Sequence, residues 1–372
     1  MKKKILIVLG TRPEIIKFYP LIKELKKIKY TKKIKAEILY TNQHVDFGKD
    51  LSKIFKINFT HKLLKKKLLN NSFYLTNLIL NYINKGKKYS GILVLGDTMT
   101  AITGAMAGYL SKTKVFYLES GLRTNDFNNP WPEEGFRKAI TQIVDIHFAP
   151  TNWNKKILLQ EGIKKERIFV TGNTVVDAIK TVKKYISKRN VEKKIENFLI
   201  KILGKKIFAS KKVVITLHRR ENFGVEFEKI CSNIIILSKK YPSINFIFPV
   251  HPNPYIKSSA QKIFKNISNV FLIKPLNYFN FLTLCKNSEF IISDSGGIQE
   301  EAAEMKKFVL LARKKTERPE VENKLVFVCG SNLKKYLKYT SYFLSNKTPN
   351  IRNPFGDGKS SVKIINNIIS NI

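Results

Sequence analysis

Residues 293–302 read Ser-Asp-Ser-Gly-Gly-Ile-Gln-Glu-Glu-Ala and follow a short apolar run, 290–292, with the character of a buried strand. Two adjacent glycines permit a tight turn and close backbone approach, and the acidic residues after them suit a helix start. A strand, a Ser-Gly-Gly turn and a helix in succession belong to an open parallel sheet covered by helices. Such a turn presents unpaired N–H groups and the positive end of the helix to an anion. Ser295, Gly296 and Gly297 thus form a candidate diphosphate seat, and Glu301, one turn further in, is placed to accept hydrogen bonds from a ribose diol. Taken alone, the same turn reads equally as a plain strand-to-helix connection.

A second segment repeats the pattern. The apolar run 5–9 is followed by Gly10-Thr11-Arg12-Pro13-Glu14, which reads as a first parallel strand, a glycine turn and a helix with Pro13 in its first turn. It is not the G-x-G-x-x-G fingerprint of dinucleotide sites. Arg12 and Lys17 would sit at the carboxyl edge of the sheet, where open α/β sheets bind ligands. Two such units, one near each end of the chain, predict two doubly wound domains facing one cleft.

The rest of the chain fits that layout. With 372 residues and 43% hydrophobic content it can bury two cores. Predicted strands cover 5–9, 36–40, 91–95, 114–118, 146–149 and 168–170, then 213–217, 245–250, 270–273, 290–292 and 308–311, with helix-length segments between most of them. The lysine-rich stretch 181–212 lacks strand signal and is the candidate crossing between halves. Residues 353–372 hold a Pro-Phe-Gly-Asp-Gly turn and a helical stretch that is expected to return to the first half.

No apolar run reaches the roughly 18–20 residues that span a bilayer, so no membrane insertion is expected. Met1-Lys2-Lys3-Lys4 and the apolar run after it mimic a signal peptide, but Arg12 and Glu14 end the stretch too early. Cys231, Cys285 and Cys329 have no close pairing and read as buried free thiols, so a cytoplasmic location is expected. The formal net charge of +40 raises the question of nucleic acid. The excess is almost all lysine, scattered over the chain, whereas Arg12, Arg123, Arg137, Arg219, Arg220 and Arg318 fall inside motifs. Arginine stands where geometry matters and lysine fills solvated surface. Specific nucleic-acid binding is not expected.

Polar residues at strand ends carry the chemistry. Asp97 follows strand 91–95, Glu119 follows 114–118, and Glu133 lies in Pro130-Trp131-Pro132-Glu133-Glu134-Gly135. Three acids at one sheet mouth can act as acid and base, and each by itself is also compatible with a helix cap or a surface acid. His218 in His218-Arg219-Arg220-Glu221 is placed to donate to a phosphate oxygen or assist a leaving group. His251 and His44 occupy similar strand-end settings, whereas His61 and His147 read as structural. The histidines lack metal-ligand spacing, and no metal is expected. Arg318 reads either as a diphosphate partner or as a solvated surface arginine.

With these motifs in order along nearly the whole chain, the sequence resembles the non-hydrolysing UDP-N-acetylglucosamine 2-epimerases. The resemblance rests on Gly10-Thr11-Arg12-Pro13-Glu14, Pro130-Trp131-Pro132-Glu133-Glu134-Gly135, His218-Arg219-Arg220-Glu221 and Asp294-Ser295-Gly296-Gly297-Ile298-Gln299-Glu300-Glu301. It implies an α/β fold of two doubly wound Rossmann-like domains, similar to the B-type glycosyltransferases, that closes over its ligand as a homodimer. Residues 1–180 would form the N-terminal domain and 181–358 the nucleotide-binding one, with a last helix, 359–372, packing back on the first. Nucleotide contacts are implied for Arg12, His218, Phe281, Ser295, Gly296, Gly297, Glu301 and Arg318, with Lys17 in the same pocket. Asp97, Glu119 and Glu133 would serve the sugar, oriented by Arg137.

The resemblance further implies a second, activating UDP-sugar held by Gln43, His44 and His251. Val45 and Asp46 depart from the family's usual pattern in that loop, and Leu276 stands where some members carry a polar residue. The implied activity is reversible C2 epimerisation of UDP-N-acetylglucosamine, through elimination and re-addition of UDP and without a cofactor. Two relatives compete with this reading. A hydrolysing epimerase is disfavoured by the intact Pro13-Glu14 and His218-Arg219-Arg220-Glu221, and a glycosyltransferase would need an acceptor site that the sequence does not display.

Overall fold

The computed structural model describes residues 2–43, 55–63, 72–85 and 88–372. The chain divides into two compact units, Met1–Thr181 with Pro354–Ile372, and Val182–Asn353.

Unit 1 holds a seven-stranded sheet, all of whose pairings are parallel. Its strands are β1 (Lys3–Leu9), β2 (Ile34–Tyr40), β3 (His61–Lys62), β4 (Gly91–Leu95), β5 (Val115–Leu118), β6 (Ile146–Ala149) and β7 (Ile168–Val170), in the spatial order β3-β2-β1-β4-β5-β6-β7. The central strands are apolar along their whole length because helices cover both faces: every residue of Ile5 to Leu9 is fully buried. One face packs Leu6, Val8, Ile92, Val94, Val115 and Tyr117 against the helices Ser72–Asn84, Met99–Leu110 and Glu133–Ile143. The last helix, Ser360–Asn371, packs on the helix Arg12–Leu25, and the 354–358 turn groups with it in this unit.

Unit 2 holds a six-stranded parallel sheet of β8 (Lys212–Thr216), β9 (Asn245–Pro249), β10 (Val270–Ile273), β11 (Phe290–Ser293), β12 (Phe308–Leu311) and β13 (Val326–Val328), ordered β10-β9-β8-β11-β12-β13. The lysine-rich stretch before β8 is helical, as Arg189–Leu203 and Lys205–Ala209. The first of these buries Ile195, Leu199 and Leu203, one apolar stripe at four-residue spacing, and turns its lysines outward. Among the described residues no helix is long and apolar enough to cross a membrane.

Candidate active site

In each unit the strand order reverses once, and two of the sequence motifs lie at the carboxyl ends of the strands flanking that reversal. This is where open α/β sheets leave a crevice. In unit 1 the reversal falls between β1 and β4, whose ends carry the Gly10 and Gly96 turns. A single buried acid ties them. Glu14 Oε2 accepts from the Gly10 N–H (2.9 Å), the Thr11 N–H (2.7 Å) and the Thr11 hydroxyl (2.8 Å), while Oε1 accepts from the Thr98 hydroxyl (2.7 Å). Thr11 and Glu14 form a capping box, so one side chain satisfies the helix start and fixes the neighbouring turn. Burial pushes the Glu14 carboxyl above its usual range, against the opposing pull of bonds from Thr98, Gly10 and Thr11.

Around this crevice two of the predicted acids are clamped by cations. Arg137, nearly buried on the helix Glu133–Ile143, donates twice to Asp97 Oδ2 (Nε 2.9 Å, Nη2 2.5 Å) and once to Glu134 Oε2 (3.2 Å). Glu134 is fully buried and also accepts from the Thr124 N–H (3.2 Å) and the Asn125 N–H (3.0 Å), fixing the loop before the helix. Glu119, at the end of β5 beside Asp97 at the end of β4, receives Lys17 Nζ and, at 2.6 Å, Asn173 Nδ2 on the same oxygen, Oε1. Lys17, expected in the nucleotide pocket, is seated on Glu119. Gly96 turns with φ of 72°, and a Cβ there would stand 3.5 Å from the other Glu119 oxygen. Glu119 itself has φ of 63°, a left-handed conformation that a non-glycine residue holds only when its surroundings over-determine it. Glu133 is half-buried at the start of its helix, adjacent to Glu134. Arg137 thus contacts Asp97 and Glu134, and the donors on Glu119 are Lys17 and Asn173.

Two other polar residues near these acids are structural. Arg123 is consumed by a bidentate pair with Glu161 (2.8 and 2.7 Å) and by Thr141 and the Leu122 carbonyl. His147 is fully buried, with Nδ1 2.9 Å from the Ser120 hydroxyl. Burial, reinforced by the Arg167 and Arg123 charges, holds its imidazole down to about 3. The unfolded chain takes up a proton near pH 6.5 that the fold refuses. This contribution to stability is therefore fully present above about pH 6.5 and is lost as pH falls toward about 3, with a size on the order of several kcal/mol. Urea unfolding between pH 7 and 4 should show that acid limb, and His147→Asn should flatten it. An unchanged limb in the variant would assign the loss to other groups.

In unit 2 the reversal falls between β8 and β11, and again a buried acid ties the two turns. Asp294, fully buried, accepts from the His218 N–H (3.1 and 3.0 Å), the Arg219 N–H (2.9 Å) and Asn222 Nδ2 (3.1 Å). The helix Gly296–Met305 then starts at Ser295, which makes no side-chain cap. A Cβ on Gly296 would stand 2.9 Å from Arg318 Nη1, whereas one on Gly297 would meet nothing within 4 Å, so Gly297 leaves open space. Arg318 is not a solvated surface arginine. It is nearly buried, with Nε 2.7 Å from Glu300 Oε1 and Nη1 2.9 Å from Glu317 Oε1. Arg313 extends the network to Glu317 (2.8 Å) and Glu221 (3.0 Å), joining the β12 loop to the His218 turn.

The remaining predicted residues lie on elements or loops of their own units. Arg12 opens its helix half-buried, Glu301 is half-buried one turn into Gly296–Met305, and Phe281 is half-buried on the helix Tyr278–Lys286, which follows the buried Leu276. The His218 and His251 rings stand 5.7 Å apart. Gln43 Oε1 accepts from the Thr100 hydroxyl (2.9 Å) and the Thr100 N–H (3.3 Å), while His44, Val45 and Asp46 lie outside the described residues. Sequence reasoning gave no role to Glu14, Glu134, Asn173 or Asp294. The Thr11-x-x-Glu14 capping pattern was a readable signal for the first. For Asn173 the only signal was an Asn just before a helix.

Known proteins align with this chain over nearly their full length. The family profile described as UDP-N-acetylglucosamine 2-epimerase matches residues 26–369. The chain is 39% identical to the UDP-N-acetylglucosamine 2-epimerase of Campylobacter jejuni, over 99% of this chain and 98% of that one. A crystal structure of UDP-GlcNAc 2-epimerase from Neisseria meningitidis bound to UDP-GlcNAc superposes with a TM-score of 0.91 at 35% identity, covering 99% of this chain and 100% of that one. The Methanocaldococcus jannaschii UDP-GlcNAc 2-epimerase, in complex with UDP-GlcNAc and UDP, superposes with a TM-score of 0.86 at 33% identity, covering 98% and 99%. Matched in sequence and fold from end to end, the chain belongs to the UDP-N-acetylglucosamine 2-epimerase family.

Proposed function

We propose that the chain catalyses the reversible, non-hydrolysing C2 epimerisation of UDP-N-acetylglucosamine to UDP-N-acetylmannosamine. The observation that carries this reading is the pair of neighbouring strand ends in unit 1, where Asp97 and Glu119 are each held by a buried cation. The hydrogen at C2 of the sugar is not acidic, but elimination of UDP gives side-chain acids and bases a workable route. A base takes the C2 proton, the C2–H electron pair becomes the C1–C2 double bond of 2-acetamidoglucal, and the C1–O pair leaves with UDP. The UDP oxygen then re-adds at C1 while a proton reaches C2 from the opposite face. Asp97, Glu119 and Glu133 move the protons, with Arg137 and Lys17 holding the first two.

The growing charge on UDP falls to the uncapped start of the helix Gly296–Met305, through Ser295, Gly296 and Gly297, together with His218 and Arg12. Arg318 adds positive charge against Gly296, Glu301 accepts from the ribose, and Phe281 packs on the nucleotide. The two units correspond in this reading to a sugar domain and a nucleotide domain. Gln43, His44 and His251 are candidates for a second, regulatory UDP-sugar. The enzyme would work as a cytoplasmic homodimer supplying N-acetylmannosamine-type sugars for cell-surface polysaccharide.

Proton NMR of the purified protein with UDP-N-acetylglucosamine in deuterated water tests the reaction. The expected product is UDP-N-acetylmannosamine carrying deuterium at C2. Free N-acetylmannosamine with UDP would instead identify a hydrolysing enzyme.

A further inference from the structure

We infer that Asn173 is a positioning residue for Glu119, and that the C-terminal segment of the chain holds it in place. This rests on the reading of Glu119 as a proton-moving acid. Asn173 uses its two amide atoms for different tasks. Oδ1 accepts from the Val175 N–H (2.9 Å) in the first turn of the helix Thr174–Ile186, a local role in starting that helix. Nδ2 donates to Glu119 Oε1 at 2.6 Å, across 54 positions of sequence, beside the Lys17 ammonium on the same oxygen. With Oε1 held by two donors, the carboxylate has one orientation, which leaves Oε2 against the Gly96 turn. The left-handed backbone of Glu119 fits a residue whose side chain is fixed from outside its own strand.

The support behind Asn173 comes from the far end of the chain. The Asn173 N–H donates to the Phe355 carbonyl at 2.7 Å. A Cβ on the preceding Gly172 would stand 2.5 Å from the Ser360 hydroxyl and 3.0 Å from that carbonyl, so the two segments approach too closely for any side chain there. Asp177, one turn along the same helix, receives the Ser360 N–H (3.2 Å) and the Ser361 N–H (2.8 Å) that open the last helix. The C-terminal segment is thereby locked to the turn that aims Asn173, and Asn173 aims Glu119.

The two tasks of Asn173 are separable by substitution. Asn173→Asp keeps an oxygen for the Val175 N–H and replaces the donor with an acceptor. Asn173→Ala removes both without adding a charge. The experiment measures kcat, KM and melting temperature of both variants beside wild type, using the C2-deuteration assay. Both are expected to lose about 10- to 100-fold in kcat, the effect of one hydrogen bond to a charged group, with KM nearly unchanged. Asn173→Asp sets a second buried carboxylate against Glu119 and Asn173→Ala loses the bond that starts the helix, so both should melt lower than wild type. Wild-type kcat in Asn173→Asp, or in Asn173→Ala assayed well below its melting point, would overturn the inference while an active wild type left the epimerase reading intact. A wild type that does not exchange C2 hydrogen would overturn the reading itself.

Discussion

Glu119→Gln is expected to lower kcat by roughly 100- to 10,000-fold, the usual contribution of a general acid or base, while UDP affinity measured by calorimetry stays close to wild type. Gln has the shape of Glu and still offers a carbonyl to Asn173 or Lys17, but it cannot carry a proton. The substitution has a second consequence. Lys17 is only 7% exposed, and its ammonium lies on Glu119 Oε1. Removing the negative charge weakens the hold on that buried ammonium, at a cost of up to about 3–5 kcal/mol when a buried pair is broken on one side. Glu119→Gln should therefore melt early as well as turn over slowly. The double variant Lys17→Met with Glu119→Gln separates the two effects, because it removes the buried ammonium as well and should recover stability without recovering turnover. If Glu119→Gln turned over within about twofold of wild type, far short of the loss of a general acid or base, the carboxylate would not move a proton. Asp97→Asn and Glu133→Gln are expected to act in the same direction, on kcat far more than on UDP binding.

What the sequence could disclose follows from how parallel sheets bury their strands. A strand covered on both faces is a continuous apolar run, so β1, β4, β6 and β11 stood out. The strands it hid are β3, the two polar residues His61–Lys62 at a sheet edge, and β13, three residues at the opposite type of edge in unit 2. β3 is too short and too polar to produce a pattern, whereas β13 is an apolar Val-Phe-Val whose only weakness as a signal is its length. The location of the site was also legible, because in a parallel sheet every strand ends on the same edge and the polar residues after each strand must gather there. The pairings were not. Lys17 meets Glu119 across 102 positions, His218 meets Asp294 across 76 and Arg137 meets Asp97 across 40, with nothing local to couple them. The charge network of Arg313, Arg318, Glu221, Glu300 and Glu317 was hidden for the same reason. A motif reading names these side chains, and only the fold says which of them spend their charge on one another.

The same logic makes Asp294 the second residue whose loss should be most costly, and by a different route from Glu119. Both units fasten the two turns at their strand-order reversal with one buried acid, Glu14 in the first and Asp294 in the second. Asp294 gathers two backbone N–H groups of the His218 turn and the Asn222 amide, which itself also donates to the Ala312 carbonyl at 3.0 Å. Asp294→Ala leaves those donors inside the protein without their acceptor, at about 1–3 kcal/mol for each one that water cannot reach. It also frees the turn that carries His218 and Arg219 beside the uncapped helix start. UDP affinity should therefore fall together with kcat and melting temperature, whereas Glu119→Gln spares UDP affinity. Asp294→Asn keeps one acceptor oxygen but points an amide N–H₂ at other donors, so it should fall between Ala and wild type. Calorimetry with UDP and a melting curve for each variant decide the matter. Unchanged UDP affinity in a folded Asp294→Ala protein would mean that the His218 turn holds its shape without the carboxylate beneath it.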